Sequence, residues 1–385
     1  MLKKISIFGS TGSIGKQTLE VIEQHLDKFQ VIALTANNNI DLLYQQILKF
    51  RPNLVVINEE NSYNDFVNKY KVNCKVLYGR SELIEYSKNL DCDLLVSSLV
   101  GFAGVEPTLN AIKCRVDIAL ANKETLVSAG NIITKAAKDN NVKIYAVDSE
   151  HNAILQCLIG EDSDKIEKLI LTASGGPFRC LEIEKFKHIT IKDALNHPNW
   201  SMGSKITIDS ATMMNKGLEL IEAYWLFNVD VDKLDVIVHK QSIIHSMVQF
   251  VDGSIKAQLG LPDMRVPISY ALNYPNRLEL NVPRLDFTKI YELNFEKPDL
   301  EKFQCLKLAF EVLKQNPLNA VVLNAANEIA VANFLNEKIQ FIDIPNVIKE
   351  MLNAIEINLE ESLENIIEID NLTRIKSQNY IESIS

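Results

Sequence analysis

Asp148 and Glu150 stand two residues apart in Ala146-Val147-Asp148-Ser149-Glu150, at the end of a segment that reads as a β-strand. Alternate residues of a strand share a face, so the pattern aims both carboxylates into one crevice at the strand's C-terminal end. Two converging carboxylates repel unless one is protonated or a cation lies between them. A hard divalent ion is one resolution, and a solvated acidic turn is the other. Further on, Asp209-Ser210-Ala211-Thr212-Met213-Met214-Asn215-Lys216-Gly217-Leu218-Glu219 gathers hydroxyl, amide, ammonium and carboxylate groups. It lies where the apolar run Ile206-Thr207-Ile208 reads as a strand meeting a helix, Thr212 to Phe227. Ser210, Asn215 and Lys216 are of the types that hold a phosphate, and Glu219 adds a third acid to the metal candidates. The turn Ala173-Ser174-Gly175-Gly176-Pro177-Phe178 also follows a strand-like run and offers the Ser174 hydroxyl to the same anion.

A second chemistry is written at the start of the chain, where Gly9-Ser10-Thr11-Gly12-Ser13-Ile14-Gly15 follows the first apolar run and opens an amphipathic helix. Glycines there allow a tight turn and close backbone approach to a pyrophosphate, which unpaired N–H groups and the helix dipole stabilise. Enzymes that use NAD usually carry an acid at the end of the second strand to bond the ribose hydroxyls. Here that strand ends Leu34-Thr35-Ala36-Asn37-Asn38-Asn39, without a carboxylate, which favours NADP. No Arg or Lys takes the acid's place. A 2′-phosphate must then rely on backbone N–H groups and on Thr11, Asn37, Asn38 and Asn39.

The elements that must position these groups show in the hydrophobic pattern. Up to about residue 150, short apolar runs alternate with helix-length amphipathic segments: Ile5–Phe8, Val31–Leu34, Leu54–Ile57, Lys75–Tyr78, Leu94–Val96, Asp117–Leu120 and Lys143–Val147. Continuous runs of this kind belong to strands buried on both faces, and parallel strands need crossovers. The pattern predicts a Rossmann-like, doubly wound parallel α/β sheet. Beyond it we expect an α+β catalytic domain over 151–273 with a lid loop near 174–204, a proline-interrupted connecting arm over 274–300 and a helical C-terminal domain over 301–385. A net charge of −10 argues against nucleic acid, because a phosphate-binding face is normally basic. No run approaches the roughly 20 apolar residues of a membrane span. Six cysteines at 74, 92, 114, 157, 180 and 305, without zinc-type spacing, read as reduced thiols, mostly core. With an N-terminus that runs straight into a strand, this points to the cytoplasm.

Taken in order, GSTGSIG at 9–15, ANKET at 121–125, DSEHNA at 148–153, SGGPF at 174–178, HPNWSMG at 197–203, DSATMMNKGLE at 209–219 and HKQSIIHSMV at 239–248 resemble the 1-deoxy-D-xylulose 5-phosphate reductoisomerase family over essentially the whole chain. The resemblance implies that Asp148, Glu150 and Glu219 bind Mg2+ or Mn2+. It implies that Ser174, Ser210, Asn215 and Lys216 hold a sugar phosphate with help from His197, and that Ser149 and Lys123 line the site. Trp200 and Met202 would ride on the lid. Thr11, Gly12, Ser13, Ile14, Ala36, Asn37, Asn38, Asn39, Asn122, Lys123, Glu124 and Gly203 would meet NADPH. Lys123, Asp148, Glu150, His197 and Glu219 would form the catalytic set, in a homodimer that rearranges and then reduces its substrate. A dehydrogenase of another phosphorylated polyol and a nucleotide-sensing regulator are the competing readings. His239 and His245 fit a structural role as well as a site role, and Met213-Met214 reads as packing.

Overall fold

The computed structural model describes residues 1–197, 200, 202–357 and 359–384. Of the 197–203 motif, Pro198, Asn199 and Ser201 lie outside the described residues. The first half contains β1 (Lys3–Phe8), α1 (Ser13–Glu23), β2 (Phe29–Ala36), α2 (Ile40–Phe50), β3 (Leu54–Ile57), α3 (Glu60–Lys69), β4 (Lys75–Tyr78) and α4 (Gly79–Ser87). It continues with β5 (Leu94–Ser97), α5 (Val105–Lys113), β6 (Asp117–Leu120), α6 (Glu124–Asn140), β7 (Ile144–Ala146) and α7 (Ser149–Cys157). Each predicted apolar run in this part is a strand. They form one seven-stranded sheet in the order β4-β3-β2-β1-β5-β6-β7, with every pairing parallel. The crossovers reverse direction between β1 and β5, which opens the ligand crevice of a doubly wound sheet at the C-terminal ends of those two strands.

After α7 come β8 (Ile166–Ala173), α8 (Ile191–Ala194), α9 (Ser204–Ala211), α10 (Met214–Phe227), β9 (Leu234–Val238), β10 (Ile244–Phe250), β11 (Ile255–Leu259) and α11 (Arg265–Asn273). The chain ends with α12 (Gln304–Val312), α13 (Asn319–Leu335), α14 (Asp343–Ala354) and α15 (Leu363–Ile384). The second sheet has the order β11-β10-β8-β9, with β8 and β9 parallel and the other pairs antiparallel.

Contacts divide the chain into two units that do not follow a single cut. One comprises Met1–Thr125, Ile133–Asn152 and Asp263–Val282; the other comprises Leu126–Ile132, Ala153–Pro262 and Pro283–Ser385. In the first unit, Ile5, Ile7, Leu34, Val55, Ile57 and Leu94 form a buried core with Ile22 of α1 and with Ile268, Ala271 and Leu272 of α11. The segment that enters this core from 263–282 straddles the sequence-based division between the catalytic domain and the connecting arm.

Three readings are corrected. Ile206-Thr207-Ile208 is not a strand but the middle of α9, where Thr207, Ile208 and Ala211 are buried. A three-residue apolar run cannot distinguish a strand from one buried helical turn. Here Lys205 and Asp209 pair at i,i+4 across 2.8 Å, which only a helix provides. Likewise β7 stops at Ala146, so Asp148 and Glu150 do not alternate along a strand. The Asp148 carbonyl accepts the Asn152 N–H at 2.9 Å, closing the first turn of α7, and Glu150 lies in that turn. Asp-Ser-Glu suits a helix N-terminus, where side-chain oxygens and negative charge are favourable. The cysteines are all free as expected, but only Cys157 and Cys305 are buried, so the thiols are not mostly core.

Gly217 fixes how closely α10 approaches α12. A Cβ built on it would stand 2.6 Å from the Ala309 Cβ, nearer than side chains tolerate. We predict that Gly217→Val lowers stability by about 1–3 kcal/mol, the usual cost of overpacking, read as a lower midpoint in urea unfolding. An unchanged midpoint would mean that α10 and α12 separate without cost.

Candidate functional site

In the first unit the glycine-rich loop is shaped by what it must pass. Gly9 has φ +92°, and a Cβ there would lie 2.5 Å from the Ser98 carbonyl oxygen. A Cβ on Gly15 would lie 2.3 Å from the Gly9 oxygen. Gly12 caps α1 without a side-chain acceptor, leaving the helix N-terminus open to an anion beside Thr11, Ser13 and Ile14. The loop is pinned from below by groups that motif reading passed over. Thr35 Oγ1 accepts the Gly9 N–H at 2.8 Å, Ser10 Oγ donates to Gln46 Oε1 at 2.8 Å, and Gln46 Nε2 donates to the Ser10 carbonyl at 2.9 Å. Ser10, Thr35 and Gln46 are all buried, so this network holds the loop in one shape. The available signal was a lone glutamine among the apolar positions of α2.

Asn37, Asn38 and Asn39 follow Ala36 as an exposed turn. Asn39 caps α2, its Oδ1 accepting the Leu42 N–H at 3.3 Å. Asn122, Lys123 and Glu124 are buried after β6. Asn122 Nδ2 donates to the Gly101 carbonyl at 3.0 Å and to Glu124 Oε2 at 2.8 Å, which braces the loop after β5. Lys123 forms an ion pair with Asp148, and Ser149 Oγ donates to Glu150 Oε2 at 2.6 Å.

In the second unit, Ser174 follows β8, and its Oγ lies 3.2 Å from His197 Nε2 and accepts the Gly176 N–H at 3.2 Å. Gly176 has φ +64°, and a Cβ there would lie 2.7 Å from the Ser210 carbonyl oxygen, so this turn packs directly on the end of α9. Three residues after Ser210, Met213 adopts a left-handed φ of 58° and turns the chain into α10. There Asn215 and Lys216 both bond Glu219, with Lys216 4% and Glu219 1% exposed. Breaking a buried ion pair of this kind by removing one partner is strongly destabilising. Trp200 is half-buried, its ring 6.4 Å from that of His245, and Gly203 is exposed at the N-cap of α9. His239 is buried and bonds the Asn294 carbonyl through Nδ1 at 2.9 Å, which is the structural alternative. Met213 and Met214 are buried, as packing residues are. Asp148 and Glu150 thus belong to the first unit and Glu219 to the second. A cleft of about 1150 Å3 between Ile189–Asn196 and Phe334–Gln340 contains none of the candidate residues.

His197 Nδ1 accepts the Trp200 N–H at 3.0 Å, so the neutral ring carries its proton on Nε2, facing Ser174. Burial pushes its pKa below the ordinary value. The folded chain therefore binds this proton at lower pH than the unfolded chain does. The burial is free of penalty above the unfolded value of about 6.5, and stability is lost as pH falls from there through the folded value. We predict that His197→Gln loses less unfolding free energy than the parent chain between neutral pH and pH ~5, measured by urea titration. Parallel losses would show that another group carries the acid sensitivity.

Comparison with known proteins covers the chain almost end to end. Residues 5–130 match the model of 1-deoxy-D-xylulose 5-phosphate reductoisomerase, residues 144–227 that of its C-terminal domain, and residues 259–376 that of the DXP reductoisomerase C-terminal domain. A 1-deoxy-D-xylulose 5-phosphate reductoisomerase of Clostridium perfringens (strain 13 / Type A) is 51% identical over 97% of this chain and 98% of its own. The enzyme of that name from Ruminiclostridium cellulolyticum is 51% identical over 99% and 100%. Among solved structures, a DOX-P reductoisomerase in complex with NADPH, fosmidomycin and magnesium superposes with a TM-score of 0.95 at 40% identity, covering 100% of this chain and 99% of that one. The Zymomonas mobilis enzyme in complex with NADPH gives 0.92 at 43% identity, covering 100% of both. Identity near one half over the full length, with the fold superposing throughout, leaves one conclusion: the chain belongs to the 1-deoxy-D-xylulose 5-phosphate reductoisomerase family.

Proposed function

We propose that this chain carries out the NADPH- and divalent-metal-dependent rearrangement and reduction of 1-deoxy-D-xylulose 5-phosphate to 2-C-methyl-D-erythritol 4-phosphate. The observation that carries the reading is the polar cluster of the second unit. A buried Lys216–Glu219 pair and Asn215 open α10, and the turn that carries Ser174 packs through Gly176 on the backbone of Ser210. Lys216 gives the substrate phosphate a charge-assisted contact, and Asn215 and the two hydroxyls complete its hydrogen bonds. His197, neutral and with Nε2–H facing Ser174, adds a donor without a full charge.

Asp148, Glu150 and Glu219 hold Mg2+ or Mn2+. Three carboxylates are the hard oxygen donors such ions take. Two of them sit beside an ammonium group, Lys123 for Asp148 and Lys216 for Glu219. When bound, the ion supplies Lewis acidity and the nicotinamide supplies the reductant. Thr11, Gly12, Ser13 and Ile14 receive the pyrophosphate at the open start of α1, Ala36 and Asn37 to Asn39 border the adenosine ribose, and Asn122, Lys123, Glu124 and Gly203 line the remainder of the cofactor site. Ser149 orients Glu150 through its 2.6 Å hydrogen bond. Trp200 and Met202 close over the substrate as part of a lid within 174–204, which excludes water from a reactive aldehyde. Binding through the phosphate, away from the reacting carbons, contributes orientation and drives that closure.

The assembly we propose is a homodimer, and the site of action the cytoplasm. Among the described residues no helix is long and apolar enough to cross a membrane. The division into a dinucleotide-binding domain over 1–150, a catalytic domain over 151–273, an arm over 274–300 and a helical domain over 301–385 stands as a functional description beside the two contact units.

Two measurements test the reading. Oxidation of NADPH in the presence of 1-deoxy-D-xylulose 5-phosphate is expected to require Mg2+ or Mn2+ and to cease with EDTA; oxidation that continues without metal overturns the assignment. Lys216→Ala is expected to raise the KM for the sugar phosphate by at least about tenfold, the loss of one charged hydrogen bond, with the KM for NADPH nearly unchanged. An equal rise in both would put Lys216 in the wrong pocket.

A further inference from the structure

We infer that Asn58, at the end of β3, sets the preference for NADPH by orienting the Asn37 amide toward the adenosine 2′-phosphate. The inference rests on the proposed use of NADPH and deepens it. β2 and β3 are paired so that Ala36 lies opposite Ile57, which places the next residues, Asn37 and Asn58, side by side. Their backbones are locked together. The Asn58 N–H donates to the Ala36 carbonyl at 3.0 Å, and the Glu59 N–H donates to the Asn37 carbonyl at 3.2 Å. Asn58 Nδ2 then donates to Asn37 Oδ1 at 3.0 Å.

That hydrogen bond decides which end of the Asn37 amide is offered outward. With its oxygen committed to Asn58, Asn37 presents the two N–H bonds of Nδ2, and a donor is what a phosphate dianion requires. An amide without such a partner turns about a soft two-fold torsion and offers oxygen as readily as nitrogen. The other candidates in the turn are partly spoken for. Asn39 spends its oxygen on capping α2. Asp41, the acid in the first turn of α2, is held by Lys69 at 2.8 Å and by the Tyr70 hydroxyl at 2.5 Å. No cation stands at positions 37–39, so the orientation of a neutral amide carries selectivity that an arginine or lysine would otherwise supply. Asn58 is a positioning residue in this scheme, acting through Asn37.

The substitutions separate cleanly. Asn58→Asp can only accept from Asn37. It turns the amide over so that its oxygen faces the phosphate, and it adds a negative charge. Asn58→Ala merely frees the amide. Both positions are exposed, so the fold is expected to tolerate either change. The experiment is calorimetric binding of 2′,5′-ADP and of 5′-ADP to the full-length chain, with steady-state kinetics in NADPH and NADH alongside. We expect Asn58→Asp to weaken 2′,5′-ADP by about tenfold or more, an attraction exchanged for a repulsion, and 5′-ADP by less than about twofold. Asn58→Ala is expected to weaken 2′,5′-ADP alone by about threefold, and to add nothing in an Asn37→Ala background, as required of two residues acting as one unit. Equal losses for the two nucleotides, no loss, or the same loss in both backgrounds overturns the inference while NADPH use stands. A parent chain that binds both nucleotides equally and uses NADH as well as NADPH overturns the underlying reading, and this inference with it.

Discussion

Glu219 is 1% exposed and sits in an ion pair with a lysine, Lys216, that is itself 4% exposed. Removing two such charges from water costs several kcal/mol per ion, so the pair persists only because its geometry is good and further hydrogen bonds satisfy it. Asn215 supplies one of those bonds from the same helix. The first unit contains a counterpart: Lys123 and Asp148, with side chains 7% and 13% exposed, are paired in the same way. Each unit thus keeps a charged carboxylate beside an ammonium group, away from bulk water. The ion pair holds each lysine in place for an anionic substrate. The chemistry proposed for this chain follows from that constraint, because sites of this kind concentrate charge where the dielectric is low.

Keeping those pairs in register needs elements that approach more closely than side chains allow. Gly217 lets α12 lie against α10 at the turn that carries Lys216 and Glu219. Gly176 does the same for the turn after β8 and the end of α9, and with φ +64° it occupies a region that a larger residue enters only under strain. In the first unit Gly9 and Gly15 serve the dinucleotide loop, whose shape is then fixed from beneath by Thr35 and Gln46. Rigidity at these points is what turns a set of polar side chains into a site.

The parallel sheet was legible because strands buried on both faces leave continuous apolar runs, and seven of them alternate with helix-length segments. The acidic and hydroxyl-bearing motifs were legible because such groups stand out at strand and helix ends. Their local conformation was not. Ile206-Thr207-Ile208 has the residue types of a strand, and tertiary burial together with the Lys205–Asp209 pair makes it helical. The i, i+2 spacing of Asp148 and Glu150 fits alternate strand positions, whereas the strand ends at Ala146 and the pair opens a helix. Gln46, Thr35 and Asn58 were invisible, since their roles arise from partners far along the chain or on a neighbouring strand.

One of those distant partnerships changes how the C-terminal helices should be regarded. α13 is buried over most of its length, yet it carries Asn324, Asn327 and Asn333 among its buried residues. Asn327 Nδ2 donates at 2.8 Å to Asp209, which is 1% exposed and also holds Lys205 at 2.8 Å. Asp209 immediately precedes Ser210, so the acid that anchors α9 to the last helices lies next to a hydroxyl of the phosphate cluster. A buried carboxylate is retained in an apolar helix contact only if its partners satisfy it, and here one partner comes from the C-terminal bundle. The bundle therefore acts as the wall against which the end of α9 is set. The end of α9, next to Ser210, is thus held by a residue more than a hundred positions further along the chain.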